Sequence, residues 1–234
     1  MNYIILNGKS STDIKGLMIC SLPPISKPQK RVNIEEIDGV DGDNITEIGY
    51  SAYDKDIEIG LTYNYDVDEV IEYFDSEGIV IFSNEPTKYY KYKIVNQIDF
   101  ERLIRFKTAK VTFHIQPFKF SNEERDKTFN ITTETEVQVR NSGNVYSKPI
   151  ITIYGTGTIN LSLNGEQLFV INLGEDEEYI TIDIDKLEAY KGLVLKNRLV
   201  TGNYDNFRLK VGKNIISFTG TVTKIIVSKY SRWI

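Results

Sequence analysis

The stretch Val111-Thr112-Phe113-His114-Ile115-Gln116-Pro117-Phe118-Lys119-Phe120 constrains the organisation of this chain more than any other. Through Ile115 it alternates apolar and polar residues, the period of a half-buried strand. Pro117 then removes a backbone donor, which ends regular ladder pairing or confines it to an edge. It also pushes Gln116 into extended geometry. The next residues, Ser121 to Lys127, are polar and charged. The pattern predicts a strand closing one β-rich domain, a junction at Pro117, Phe118, Lys119 and Phe120, and a second block of strands beyond a linker.

Length and residue usage bound the class. A chain of 234 residues suffices for one large or two modest domains. The single cysteine, Cys20, allows no intrachain disulfide. No apolar run approaches the ~18 residues of a membrane helix, and the first residues lack the basic and apolar regions of a secretory signal. Residues 1–120 carry 14 basic and 19 acidic side chains, whereas residues 121–234 carry 14 of each. A mildly acidic first half argues against a surface built to grip nucleic acid, which needs clustered cations.

Strand patterns dominate. Tyr3–Leu6 is a short strand before the turn Asn7-Gly8, and Leu17–Leu22 ends at Pro23-Pro24. Arg31–Ile37 alternates with Val32 and Ile34 on one face, and Asp38–Asn44 is a loop of turn-forming residues. Asp56–Tyr63 places Ile57, Ile59, Leu61 and Tyr63 on one side. One helix is expected from Asp66: Glu69 completes a capping-box-like pair, Val67, Val70, Ile71 and Phe74 form its apolar stripe, and Gly78 stops it. Strands follow at Ile79–Phe82, Tyr89–Val95 and Leu103–Ile115. In the second half, Thr158–Leu163 pairs with Glu166–Ile171 across Asn164-Gly165, and Gly155-Thr156-Gly157 permits a bend. Ile180, Ile182 and Ile184 point inward, and Thr221–Val227 pairs back on Ile215–Phe218 across Gly220. Short strands at this spacing predict a β-sandwich.

Catalytic chemistry finds no foothold. His114, the only histidine, shares parity with Thr112 and Gln116 and faces away from the core. A Cys–His pair would need Cys20 beside it, and zinc would need several His or Cys ligands. Asp38, Asp41 and Asp43 fail the calcium-loop spacing, because Gly49 and Ala52 stand where the closing Glu belongs. No motif selects a carboxylate pair for glycoside hydrolysis. Lys88–Lys93 interleaves lysine and tyrosine, but two cations on one strand face make no nucleic-acid funnel. Gly155-Thr156-Gly157 precedes a strand, which excludes a dinucleotide loop. These residues predict no catalytic site, no metal and no cofactor, and favour a scaffold or binding module.

The order of turn motifs resembles the distal tail protein (Dit) family of siphophages infecting Gram-positive bacteria. The resemblance rests on Ile4–Ser11 with Lys15-Gly16-Leu17, on Asp38-Gly39-Val40-Asp41-Gly42, and on Gln116-Pro117-Phe118-Lys119-Phe120. It continues through Asn141-Ser142-Gly143, Lys148-Pro149, Gly155-Thr156-Gly157, Asn164-Gly165, Ile182-Asp183, Gly212-Lys213-Asn214 and Ser231-Arg232-Trp233. It implies a mainly β, two-domain chain: a ring-forming N-terminal β domain with one helix over 1–120, a linker over 121–130, and a galectin-like β-sandwich over 131–234. It further implies a homohexameric ring at the distal end of the virion tail, made in the host cytoplasm. The ring would join the tail tube protein to the tail-associated tip protein, and often to receptor-binding proteins, with DNA passing through its channel. Gly39, Asp41 and Gly42 then become a candidate subunit-contact loop. An acidic channel wall would repel DNA phosphates. The chain leaves no room for an inserted carbohydrate-binding module, and its only tryptophan, Trp233, offers no obvious sugar platform. The alternatives are a carbohydrate-binding module of the host-adhesion device and, more remotely, a glycan-cleaving enzyme.

Overall fold

The computed structural model describes residues 1–39 and 41–234, without the side chains of residues 100–102, so Val40 of the acidic loop lies outside the described residues. The chain is mainly β and divides into two compact units, 1–122 with Ile234, and 123–233.

In the first unit the elements run β1 (Ile4–Leu6), β2 (Lys9–Ser10), β3 (Leu17–Ser21), β4 (Lys30–Glu36), β5 (Asp43–Tyr50), β6 (Tyr53–Leu61), α1 (Val67–Phe74), β7 (Glu77–Phe82), β8 (Lys88–Ile94), α2 (Phe100–Phe106) and β9 (Thr108–Ser121). Seven strands form an antiparallel sheet in the order β2-β1-β7-β8-β9-β6-β3. Ile57, Ile59, Val111, Phe113 and Ile115 face the core with Val70, Tyr73 and Phe74 of α1. Among the described residues, strands β4 and β5 pair only with each other.

Several expectations need correction. Leu103–Phe106 is helical, not strand: α2 is a second helix and β9 starts at Thr108. Tyr63 lies past the end of β6 and is fully exposed rather than inward. On α1 the buried residues are Val70, Tyr73 and Phe74, while Ile71 faces solvent. Asp66 does cap α1, accepting from the backbone N–H groups of Asp68 and Glu69. Glu69, however, turns to the backbone N–H of Lys15 and to Lys9, so the reciprocal half of a capping box is not made. Gly78 is not the helix stop. It sits in β7 at φ +143°, leaving room for the Asn7 side chain, which accepts from Ile79 N–H and donates to the Glu77 carbonyl.

Pro117 lies where the ladder loosens. Pairing of β9 with β6 stops at Ile115, and the β8 register shifts between Tyr90 and Tyr92, which oppose Lys119 and Ile115. The missing N–H therefore falls in a bulged stretch with one neighbouring strand, and β9 continues to Ser121.

The second unit contains β10 (Lys127–Asn130), β11 (Glu136–Asn141), β12 (Ile150–Leu163), β13 (Glu166–Leu173), β14 (Tyr179–Asp183), β15 (Glu188–Lys191), β16 (Val194–Leu195), β17 (Val200–Gly202) and β18 (Gly212–Ser228). They form a nine-stranded sheet centred on β12 and β18. Strand β12 pairs with β14 over Ile150–Tyr154 and with β13 over Gly157–Leu163, so the break at Gly155–Gly157 hands the chain from one neighbour to another. The hairpin across Asn164 and Gly165 forms, with both residues at positive φ; its register is the expected one at Ser162 and Leu163, and a bulge between Leu161 and Ser162 then shifts it by one residue, so that Thr158 opposes Asn172. Gly220 is not a hairpin turn: residues 212–228 are one strand, kinked where Gly220 takes φ +95° against the Thr158 carbonyl. One apolar core gathers Ile151, Ile153, Ile159, Leu161, Phe169, Ile180 and Ile182 from both halves of β12 and its neighbours.

Candidate functional site

The feature of the first unit that its own core does not explain is the β4–β5 arm. Opposed residues Ile34 and Ile45 share a face with Val32, and they are 55% and 60% exposed. Glu36 pairs with Asp43 and Val32 with Glu47 on that same face, while Asn33, Thr46, Glu35 and Asn44 line the other. The alternation read in Arg31–Ile37 is present, but its apolar face looks into solvent. Such a two-stranded ribbon has marginal stability alone in water, and its aliphatic face is the kind of surface that a partner covers. At its tip, Gly39 and Gly42 take φ +83° and +89°, Asp41 is exposed, and neither glycine has a neighbour where a Cβ would stand. Sequence reasoning took 38–44 as loop throughout and missed β5.

The root of the arm is held firmly. Asn84 donates to the Pro23 carbonyl at 2.9 Å, Lys55 Nζ to the Pro24 carbonyl at 2.6 Å, and Tyr53 to the Ser26 carbonyl at 3.3 Å. Ser51 N–H bonds to the Gln29 carbonyl at 2.9 Å, and the Tyr50 ring meets Phe118 edge-on at 5.4 Å. The junction residues therefore do local work. Phe118 braces the last residue of β5, Phe120 stacks on Tyr89 at 5.5 Å, and Lys119 Nζ reaches Glu85 Oε1 at 2.7 Å.

Lys119 and Glu85 belong to a buried polar cluster. Tyr90 donates to the second Glu85 oxygen, and burial together with that bond pushes the phenol pKa far up. Glu85 is held below the usual carboxylate range: the bonds from Lys119 and Tyr90 outweigh its desolvation. Lys55, 4% exposed, is drawn down to about 8 by burial, with Glu85 opposing and Lys119 reinforcing the shift. Sequence reasoning missed this cluster. Its signal was Lys55 in phase with Ile57 and Ile59, and Lys119 in phase with Phe113 and Ile115.

The residues weighed for catalysis stay apart. His114 Nδ1 lies 2.8 Å from Asp54 Oδ1 on a half-exposed face. Cys20 packs at Gly60, six residues from Asp54 along β6 or about 20 Å, and burial and Glu58 push its thiol pKa up. On β8, Tyr90 and Tyr92 turn inward and leave Lys91 over the Phe120 ring at 5.4 Å. Among the described residues no group of three or more His, Cys, Asp or Glu side chains is placed to hold a metal, and no helix is long and apolar enough to cross a membrane.

In the second unit, turn motifs far apart in sequence meet. Ser142 N–H bonds to Ser231 Oγ at 3.0 Å and Asn144 N–H to the Arg232 carbonyl at 3.2 Å. Gly143 leaves no room for a Cβ against that carbonyl. Arg232 is buried, donates to the Tyr146 carbonyl at 2.8 Å and lies over the Tyr146 ring.

No family model and no curated relative matches the sequence. Solved structures do. One is the Dit protein of phage SPP1, described as a paradigm of the hub adsorption apparatus in phages infecting Gram-positive bacteria. It aligns with a TM-score of 0.66 and 16% identity over all of both chains. Another is a chain of the phage P2 baseplate in its activated conformation with Ca, at TM-score 0.58 and 12% identity, covering all of this chain and 98% of that one. The same baseplate with Sr gives 0.54 and 13%, with 97% of each chain covered. The chain thus has the fold of phage Dit and baseplate proteins, the likeness that its turn motifs foreshadow.

Proposed function

We propose that this chain is a structural hub of a phage tail tip, six copies of which close into a ring. The observation that carries the reading is the fold likeness to the SPP1 hub protein across the full length of both chains. In this reading residues 1–120 build the ring, 121–130 link, and 131–234 form a galectin-like domain on its outside. The ring joins the tail tube to the tip protein and lets DNA pass. The arm supports self-association, since an amphipathic ribbon with no cover in its own unit is suited to a neighbouring subunit, and the loop of Gly39, Asp41 and Gly42 travels at its tip. The arm also changes the electrostatic picture. Six of the 19 acidic and two of the 14 basic residues of 1–120 lie between Lys30 and Tyr50. The arm therefore carries −4 of the −5, leaving −1 for the rest, so the negative charge belongs to a projecting element rather than to a uniform channel wall.

Size-exclusion chromatography with light scattering, followed by negative-stain imaging, tests the ring. Six-fold particles of about six times the 26.9 kDa chain mass are expected. A chain that stays monomeric both alone and with the tail tube and tip proteins refutes it.

A further inference from the structure

We infer that the β15–β16 hairpin of the second unit is a membrane-contacting element, whose aliphatic tip enters the outer hydrocarbon of a lipid bilayer. Tyr190 stands opposite Leu195 and Lys191 opposite Val194, which leaves Gly192 and Leu193 as a two-residue turn. Gly192 supplies the positive φ, +59°, that such a turn needs. Leu193 is therefore not required by the local fold, yet it is fully exposed where turn-forming polar residues are usual. Val194 and Leu195 are adjacent on a strand and point to opposite faces, and they are 60% and 61% exposed. Apolar surface thus wraps both faces and the tip of the hairpin. The base is fixed. Lys196 N–H bonds to the Ala189 carbonyl at 2.7 Å, and Asn197 Oδ1 accepts from Ala189 N–H at 2.6 Å. Glu177 holds Lys196 at 2.6 Å and Lys191 at 3.6 Å, one lysine on each side of the turn.

A flat protein surface covers one face of such a hairpin and not the other. Three side chains also fall well short of the ~800 Å² per partner that a stable protein contact buries. Hydrocarbon surrounds whatever enters it, so a bilayer covers both faces and the turn at once. The residues below the tip suit the headgroup layer: Tyr190 is half-buried and pairs an apolar ring with a polar end, and Lys191 and Lys196 carry their charge on apolar stems. The local charges nearly cancel. Lys186, Lys191, Lys196 and Arg198 stand with Asp185, Glu188, Glu177 and the neighbouring acids Glu175 and Asp176. Burial of the aliphatic side chains, rather than attraction to anionic headgroups, therefore carries the contact. One hairpin binds weakly; the ring proposed above presents six, and linked weak contacts multiply. The inference rests on that reading for the strength of binding alone.

The test is flotation of the full chain with vesicles of phosphatidylcholine, alone and mixed with phosphatidylglycerol, while light scattering records the oligomeric state. Binding to both vesicles is expected, and it should persist at about 1 M salt, where charge attraction is screened. Leu193→Asp should lower the partition onto vesicles by about tenfold or more, with far-UV circular dichroism and oligomer size unchanged. In a Cys20→Ser background, an environment-sensitive dye on Leu193→Cys should brighten with vesicles and be quenched by spin labels in the acyl chains. The same dye on Glu166→Cys, at the tip of the β12–β13 hairpin, should not respond. Vesicle binding that Leu193→Asp leaves intact, binding that high salt abolishes, or a dye at position 193 that stays in water overturns the contact. Rings that ignore vesicles overturn it and leave the hub reading in place; if those rings lose the tip protein on Leu193→Asp, the hairpin fills a protein socket instead. A chain that binds vesicles but stays monomeric with the tail tube and tip proteins keeps the contact and overturns the ring. A chain that neither binds vesicles nor forms rings overturns both.

Discussion

Glu85 is the counter-charge on which the arm's root depends, so Glu85→Gln is an informative perturbation. Its side chain is 13% exposed and that of Lys119 is 10% exposed, with 2.7 Å between their charged atoms. Lys55 lies in the same cluster, pinned to the Pro24 carbonyl at the entry to the arm. Removing the carboxylate leaves the ammonium groups of Lys55 and Lys119 without the counter-charge they share. Breaking a buried pair in this way costs about 3–5 kcal/mol; because Gln still accepts from Tyr90, the lower end, about 3 kcal/mol, is expected. For a unit of this size that lowers its melting temperature by about 10–15 °C. The loss should shrink at alkaline pH. With Glu85 gone, Lys55 loses the charge that opposed its depression, and its folded-state pKa sits further below 10.5. Between that value and 10.5 the unfolded chain binds more protons, so stability rises with pH there. A gain of at least about 1.4 kcal/mol between pH 7 and 9 follows for each unit of depression crossed. Calorimetry follows both units, and tryptophan emission, which comes from Trp233 alone, marks the transition of the second, so the other transition reports the first. The control is Glu77→Gln, which breaks an exposed pair with Lys93 at 3.0 Å and should lose under about 1 kcal/mol. A Glu85→Gln loss no larger than this control, or one that grows with pH, would refute the reasoning.

Three further outcomes are expected. Wild-type stability should rise between pH 8 and 10, where folded Lys55 with its pKa of about 8 has released a proton that the unfolded chain still holds; Lys55→Met should flatten that rise in pH-resolved denaturation, and an unchanged slope would contradict it. Asp66→Ala should cost about 1 kcal/mol, because both Asp68 and Glu69 N–H groups lose their cap; amide exchange in the first turn of α1 should quicken. Gly220→Ala should destabilise more than Gly165→Ala: both positions have positive φ, but only at Gly220 would a Cβ strike a carbonyl, that of Thr158. Equal denaturation midpoints would refute that distinction.

The second unit was the more legible half. Asn164-Gly165 sets the hairpin register because both residues must adopt positive φ, and the isoleucines of 180–184 alternate against a core supplied by the same unit. Gly220 misled because a glycine with positive φ serves equally as a turn or as a kink inside a long strand. Local sequence does not distinguish them; the pairing of Thr219 with Asn160 and of Thr221 with Thr156 does. Leu103–Phe106 misled for a related reason: short apolar runs fit both periods, and α2 is only seven residues long.

The arm failed for a different reason, and that reason bears on function. Alternation reports which residues share a face, not what covers the face. In β6 the face of Ile57 and Ile59 is covered by the unit's own core, whereas in β4 the face of Val32 and Ile34 is not. The two strands read alike because the same physics favours apolar burial within a subunit and between subunits. What separates them is company. Lys55, in phase with the core isoleucines, is neutralised locally through Glu85 and anchored on Pro24. On the arm, Glu36 and Asp43 sit opposite each other with like charge at the end of an exposed aliphatic face. A cross-strand pair of like charges is unfavourable for an isolated hairpin and becomes favourable once cations from outside stand against it. The mismatch between what the arm needs and what its own unit offers is the local feature on which the proposed self-association rests.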